Sequence, residues 1–209
     1  MIDHSLLEPE VQDFINAHVN TPVSVLALQK NPFPHLNYKR ILQQIESKAK
    51  AAQKLPTWFN TPLCLYPSKI SIEQTSSEIT ASYKAQTIHG ASLIDLTGGF
   101  GVDAYYFAQH FQSVVHCEHD AQLSAMVAHN SSTMGVHNLT LVSGDGLDFL
   151  RKNNTRFDWL YLDPSRRHEE KGKVFFLSDC APNVPELVDE YFEYTDQILI
   201  KTAPLLDIT

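Results

Sequence analysis

The chain has 209 residues, about 1.4 times a ~150-residue domain, which predicts one domain with an appendage. Its 43% hydrophobic and 19% charged content excludes wholesale disorder, and 16 Lys+Arg against 24 Asp+Glu exclude a uniformly basic nucleic-acid binder. No window nears ~18 consecutive apolar residues and the start, Met1-Ile2-Asp3-His4, has no basic-then-apolar leader, so neither a membrane span nor a secretory signal is expected.

The first 65 residues read as helical. Leu6, Leu7, Val11, Phe14 and Ile15 recur at the spacing of one helix face, and Asn37 to Leu55 carries Ile41, Leu42 and Ile45 on one side. Pro32 and Pro34 separate the two segments, because a ring inside a helix forfeits a hydrogen bond. Pro56, Pro62 and Pro67 then punctuate an apolar connector containing Trp58, Phe59, Leu63, Leu65 and Tyr66. The expected boundary lies there, with a helical domain over 1–65 and a second domain over 66–209. The three widely spaced cysteines, Cys64, Cys117 and Cys180, suit a reducing compartment, and the cytoplasm is the expected location.

Beyond the connector, short β-rich runs alternate with helical ones. Strands are expected at Ser92–Thr97, Ser113–Cys117, Leu139–Val142, Trp159–Leu162 and Gln197–Lys201. Between them Val102–His110, Ala121–Thr133, Leu147–Lys152 and Val184–Tyr191 read as helices. That alternation predicts an α/β fold with a parallel, doubly wound sheet, whose ligands sit at the carboxyl ends of the strands.

Charge is unevenly spread. Lys30 to Lys54 holds six basic residues against the single acid Glu46, and Arg151 to Lys173 holds seven against four acids. Ala85 to Leu150 has no Lys or Arg. The clusters are either solvated faces or two grips on a polyanion, and the sequence leaves both open.

The strand ends carry the chemistry. The first runs Asp95-Leu96-Thr97-Gly98-Gly99-Phe100-Gly101, a turn whose backbone can approach a ligand closely before a helix N-terminus. The same turn can also serve geometry alone. The second strand ends at Glu118, 23 residues after Asp95, where an acid can accept both ribose hydroxyls. The third leads into Gly144-Asp145-Gly146, a carboxylate able to accept from an exocyclic amine. A nicotinamide site is disfavoured, since Gly99-Phe100-Gly101 is followed by Val102-Asp103-Ala104 without the third glycine.

Together with Asp163-Pro164-Ser165-Arg166-Arg167 after the fourth strand, these residues resemble the motifs of class I S-adenosylmethionine (SAM)-dependent methyltransferases. The order is similar to that of bacterial enzymes carrying a THUMP-like RNA-associated domain, in which a stretch like Glu73-Gln74-Thr75-Ser76-Ser77-Glu78 precedes the glycine turn. The resemblance implies a Rossmann-like sheet with an N-terminal helical domain, and SAM as the cofactor. Asp95, Thr97, Gly98, Gly99 and Gly101 would hold its methionine portion, Glu118 its ribose, and Asp145 and Gly146 its adenine. His119 would lie against the adenine face or simply be a surface histidine. It further implies an RNA substrate, tRNA or rRNA, methylated beside Asp163 and Pro164, with Arg166, Arg167 and Gln74 as substrate contacts. Thr97 stands where many relatives have the first glycine. Chains of this family continue past the fifth strand, so the sheet is expected to lack its final strands here and the full product to be longer.

Asp163 can hydrogen-bond an acceptor N–H or take its proton, and Pro164 keeps it extended. Arg166 can stack on a base or clamp a phosphate, or pair with Glu169 or Glu170. Cys180 has no motif around it and reads as buried. His116-Cys117-Glu118-His119 alternate faces on a strand, so no metal is expected. A non-catalytic RNA-binding module, or a methyltransferase of small-molecule or protein acceptors, stays as the alternative reading. No oligomeric state is assigned.

Overall fold

In the computed structural model, residues 2–168, 172–173, 175–204 and 206–207 are described, with 167–168 and 172–173 as backbone only. Asp3 caps a short 3-10 turn at His4–Leu7 by accepting from Ser5 N–H, and Pro9 occupies the first turn of α1 (Pro9–Ala17), where no N–H is needed. α2 (Val23–Leu26) and α3 (Tyr38–Lys54) follow. The apolar faces of these helices, with Val11, Ile15, Leu26, Ile41 and Ile45 all buried, close on one another as a cluster. Leu55-Pro56 ends α3 and opens α4 (Pro56–Asn60), again with proline in the first turn.

The connector after α4 makes an exposed turn and is then buried over residues 64–67. There its backbone groups cannot reach water, so side-chain amides satisfy them from both sides. Gln44 of α3 accepts from Tyr66 N–H (2.9 Å) and donates to its carbonyl (2.6 Å). Asn130 accepts from Leu65 N–H (2.9 Å) and donates to its carbonyl (2.8 Å). A further cluster joins Leu55, Trp58 and Tyr66 to Phe100 and Val102, so the N-terminal helices share a core with the second half of the chain. Ser68 and Ser77 then cap α5 (Lys69–Gln74) and α6 (Glu78–Thr87).

The second half winds as β1 (Ser92–Asp95), α7 (Val102–Phe107), β2 (Ser113–Glu118), α8 (Ala121–Thr133), β3 (Leu139–Ser143), α9 (Gly146–Asn153) and β4 (Trp159–Leu162). A two-residue antiparallel hairpin, β5 (Arg167–His168) with β6 (Gly172–Lys173), precedes α10 (Val184–Tyr191) and β7 (Ile198–Ile200). The main sheet has the order β3-β2-β1-β4-β7 with every pairing parallel, as the alternation of strand and helix predicts. Leu93 and Tyr161 pack on one face with Phe107 and Ala85; Ile94, Leu160 and Leu162 pack on the other with Leu150 and Tyr191. Both faces are covered, which is why the strands read as apolar runs rather than alternating ones.

Element ends differ from expectation where local hydrogen bonds intervene. β1 stops at Asp95 rather than Thr97, because Thr97 N–H turns back to Asp95 Oδ1 (2.9 Å). α7 stops at Phe107 rather than His110, its exit tightened by Gln109 N–H to Tyr106 O and His110 N–H to Phe107 O. The chain leaves β1 toward β2 on one side and returns to β4 on the other. That switch point opens a cleft at the strand ends, as it does in doubly wound sheets generally.

Candidate active site

A cavity of about 1310 Å³ lies over the carboxyl ends of β1, β2, β4 and β7. Pockets for one small ligand typically measure about 300–1,000 Å³, so this one has room for a nucleoside and an acceptor beside it. It gathers Asp95, Thr97, Gly98, Gly99, Glu118 and His119 from the first two strand ends. Asp145, Gly146, Asp163, Pro164, Arg166 and Gln74 complete the wall. Gly101 is absent from the lining; it sits beneath, where a Cβ would come within 2.7 Å of Val127, and its φ of +76° opens α7 in a conformation that suits glycine. The Arg167 side chain and Glu169 and Glu170 lie outside the described residues.

The glycine turn is shaped from below. A Cβ on Gly98 would lie 2.2 Å from Nε2 of His116, so only glycine lets the turn rest on that ring. His116 is fully buried, neither ring nitrogen has a hydrogen-bond partner among the described residues, and burial pulls its pKa down to about 4. It is a neutral spacer under the loop, at physiological pH.

Glu118 carries both functions that the turn asks of it. Oε2 accepts from Gly99 N–H (2.8 Å) and Oε1 from Asp120 N–H (2.8 Å). Each carboxylate oxygen has two lone pairs, so one on each remains for a ligand diol. Asp145 caps α9 by accepting from Asp148 N–H (2.8 Å), and its other oxygen lies 3.3 Å from His119 Nε2. Two of the residues that the sequence suggests for the adenine, His119 and Asp145, therefore touch each other in the cavity wall.

Asp95 is buried at 1% exposure, and desolvation, opposed by the Thr97 N–H and reinforced by Asp103 and Asp163, raises its pKa to about 8. Thr97 Oγ1 accepts from Asp163 N–H (2.6 Å), tying the end of β4 to the turn after β1. Beside Pro164, the Ser165 backbone bridges to Ala181 in both directions (2.8 and 3.0 Å) and fixes the segment carrying Arg166. Cys180 is buried and donates to Phe176 O (3.5 Å), as its lack of a motif suggests.

Two lysines were not picked out by the sequence. Lys201, just past β7, bonds Asp163 Oδ2 at 2.5 Å. Lys84 of α6 is buried and contacts Asp103 Oδ1 (2.6 Å), Tyr161 OH (2.7 Å) and Ser76 Oγ (3.0 Å). Lys201 was findable, since it is a charged residue at a strand's carboxyl end, the criterion that selects Asp95 and Glu118. Lys84 gave no such signal. Among the described residues no three His, Cys, Asp or Glu converge as a metal site, and no helix is long and apolar enough to cross a membrane.

Residues 90–166 match the model of the RNA cap guanine-N2 methyltransferase family. No curated protein sequence matches the chain. Among solved structures, a candidate methyltransferase from Porphyromonas gingivalis W83 is 25% identical with a TM-score of 0.80, over 99% of this chain and 51% of that one. The chain shares its fold with that structure, and its central segment resembles a methyltransferase. A SAM-dependent methyltransferase from Agrobacterium tumefaciens (16% identity, TM-score 0.45, 61% and 44% covered) and an rRNA methylase from Streptococcus thermophilus (13%, 0.43, 58% and 69%) resemble it more distantly. The chain spans about half the length of the Porphyromonas structure. The residues present fit SAM, the cofactor that the sequence resemblance implies. Glu118 keeps a lone pair on each oxygen for the ribose, the cavity has room for a nucleoside, and buried Asp95 stands ready for a cationic amino group.

Proposed function

We propose that the protein is a SAM-dependent methyltransferase that modifies an amine of RNA beside Asp163-Pro164. The observation that carries this reading is Glu118, whose carboxylate is held by Gly99 and Asp120 N–H groups at the rim of a cavity that also receives Asp95, Asp145 and Asp163. Asp95 accepts from the methionine amino group, Glu118 from the ribose diol, and Asp145 from the adenine amine. When bound, the sulfonium supplies an already activated methyl group, so the protein's task is to orient the acceptor. Asp163 accepts the acceptor's N–H, held extended by Pro164, and Arg166 stacks on or clamps the substrate. Gly98 and Gly101 keep the turn closed onto His116 and Val127, beneath the ligand.

The RNA half of the reading is supported by the name of the matching family and by the resemblance to THUMP-like enzymes. The basic clusters support it less than their charge suggests. Arg40 pairs with Asp3, Lys50 with Glu73, Arg151 with Glu190 and Arg156 with Asp196, and Lys48 is buried against Asn16. The proposed division is into 1–65 and 66–209, joined through the core of Leu55, Trp58 and Phe100. The proposed setting is the cytoplasm, where the free thiols Cys64, Cys117 and Cys180 stay reduced.

Calorimetry with S-adenosylhomocysteine tests the reading. Micromolar binding is expected, weakened by a factor on the order of 100 in Glu118→Ala, the loss of two charge-assisted hydrogen bonds. Unchanged binding by that variant would overturn the site.

A further inference from the structure

β4 and β7 are parallel neighbours, with Leu162 in register with Ile200, so the next residues of each strand emerge together. Lys201 N–H extends the ladder by donating to Leu162 O (2.8 Å), which seats its side chain next to Asp163. Asp163 is then fixed twice, at its backbone N–H by Thr97 Oγ1 and at Oδ2 by Lys201 Nζ. The described residues give Oδ1 no partner, and an ammonium has three protons of which Asp163 takes one. The side chains are 33% and 27% exposed, and both line the cavity beside Pro164 and Arg166.

Such a pair offers, side by side, one strong acceptor and one strong donor with no net charge. Phosphates and carboxylates are acceptors only and ammonium groups are donors only, so neither satisfies both halves. A nucleobase edge with an exocyclic amine next to an unprotonated ring nitrogen does, as in adenine N6/N1, cytosine N4/N3 and guanine N2/N3. Uracil and hypoxanthine present the same two positions with donor and acceptor exchanged. Held in the same register they would set a carbonyl oxygen against the carboxylate and an N–H against the ammonium. They satisfy the pair only by sliding or turning over, with the ring N–H on Asp163 and a carbonyl on Lys201, which takes the exocyclic position away from Asp163.

We propose that Lys201 is an acceptor-binding residue, which with Asp163 clamps a nucleobase by its exocyclic amine at Asp163 and its ring nitrogen at Lys201. This rests on the methyltransferase reading above and names the class of acceptor that the same cavity takes. Lys201 also keeps the free oxygen of Asp163 aimed, since rotation of the carboxyl would break its bond to Oδ2.

The test is saturation-transfer NMR on the protein saturated with S-adenosylhomocysteine, using 5′-mononucleotides in the isosteric pairs CMP/UMP and AMP/IMP. CMP and AMP are expected to bind at least about tenfold more tightly than UMP and IMP, because a site built around a donor and an acceptor rejects the reversed edge. Lys201→Met is expected to abolish that preference and Lys201→Arg to retain it, with the thermal midpoint reporting that each variant is folded. Equal binding within each pair, no binding of any mononucleotide, or a preference that survives Lys201→Met in a folded variant would overturn the proposal. Failure of the wild-type protein to bind S-adenosylhomocysteine would instead overturn the reading of the cavity itself, and the acceptor proposal with it.

Discussion

The same ion pair occurs twice around the cavity, in opposite settings. Lys84–Asp103 is closed, with side chains 10% and 9% exposed, and the hydroxyls of Ser76 and Tyr161 complete it by donating to Asp103 Oδ2 at 2.8 Å each. Lys201–Asp163 is open, at 27% and 33%, and among the described residues leaves Asp163 Oδ1 and two ammonium protons unpaired at a cavity that a ligand can fill. One set of residue types thus does two jobs, decided by whether neighbouring groups use up the hydrogen-bonding capacity. The closed pair fastens α6 and α7 to β4 behind the cofactor wall; the open pair is what an acceptor meets.

If that distinction is right, the largest effect comes from breaking the closed pair. Burial pulls the Lys84 pKa down, and chiefly Asp103 holds it up. Lys84→Met leaves the Asp103 carboxylate buried without its counter-charge, and a loss of roughly 3–5 kcal/mol in urea-denaturation stability is expected. The double variant Lys84→Met/Asp103→Leu should recover much of it, since a dry apolar pair removes the stranded charge. A Lys84→Met protein as stable as wild type would erase the contrast.

The next effect, also on the closed side, is pH-dependent. His116 has a folded-state pKa of about 4 against 6.5 for a free histidine. As pH falls from 6.5 toward 4 the unfolded chain takes up a proton that the folded one refuses, so stability is lost on acidification, up to about 3 kcal/mol at 1.36 kcal/mol per unit. Asp95 acts the other way over this range, because its raised pKa lets the folded state hold a proton that the unfolded chain gives up. Subtracting a His116→Gln variant isolates the histidine. The stability gap between wild type and variant should shift against wild type from pH 6.5 to 4, and a pH-independent gap would show His116 is not a buried neutral ring.

Much of this architecture was legible in the chain. Leu93-Ile94, Val114-Val115 and Leu160-Tyr161-Leu162 are continuous apolar runs because both faces of the sheet are covered, and the first acid after each run, Asp95, Glu118 or Asp163, marks a strand end. The carboxylates at those ends could be chosen for that reason alone. What sequence spacing hides is pairing over distance. Arg151 reaches Glu190 and Arg156 reaches Asp196, so basic residues that look available in the sequence can already be engaged. Ser76, Lys84, Asp103 and Tyr161 come from four separate segments, and only the packing of α6 and α7 on the sheet brings them together.

Asp95 belongs to neither setting, being buried like the closed pair while bordering the same cavity as the open one. With a pKa of about 8 it is mostly protonated at pH 7 in the free protein. An ammonium placed against it favours the ionised form, so binding S-adenosylhomocysteine should release up to one proton at pH 7. Calorimetry in buffers of different ionisation enthalpy measures that number, and Asp95→Asn should remove the buffer dependence. Persistence of proton release in the variant would place the amino group elsewhere.

The smallest stability effect is the one that sharpens the comparison most. A partly exposed ion pair contributes about 0–1 kcal/mol, because water screens it and two flexible side chains must be held in place. Lys201→Met should therefore change folding stability by less than about 1 kcal/mol, against several for Lys84→Met, although both remove a lysine from an aspartate around the same cavity. Urea denaturation of the two variants side by side measures the ratio. A Lys201→Met variant as damaged as Lys84→Met would mean that the open pair is a structural clasp between β4 and β7. A near-silent one leaves ligand contact as the reason for a lysine whose backbone is already held by Leu162 and whose ammonium reaches across to the residue before Pro164.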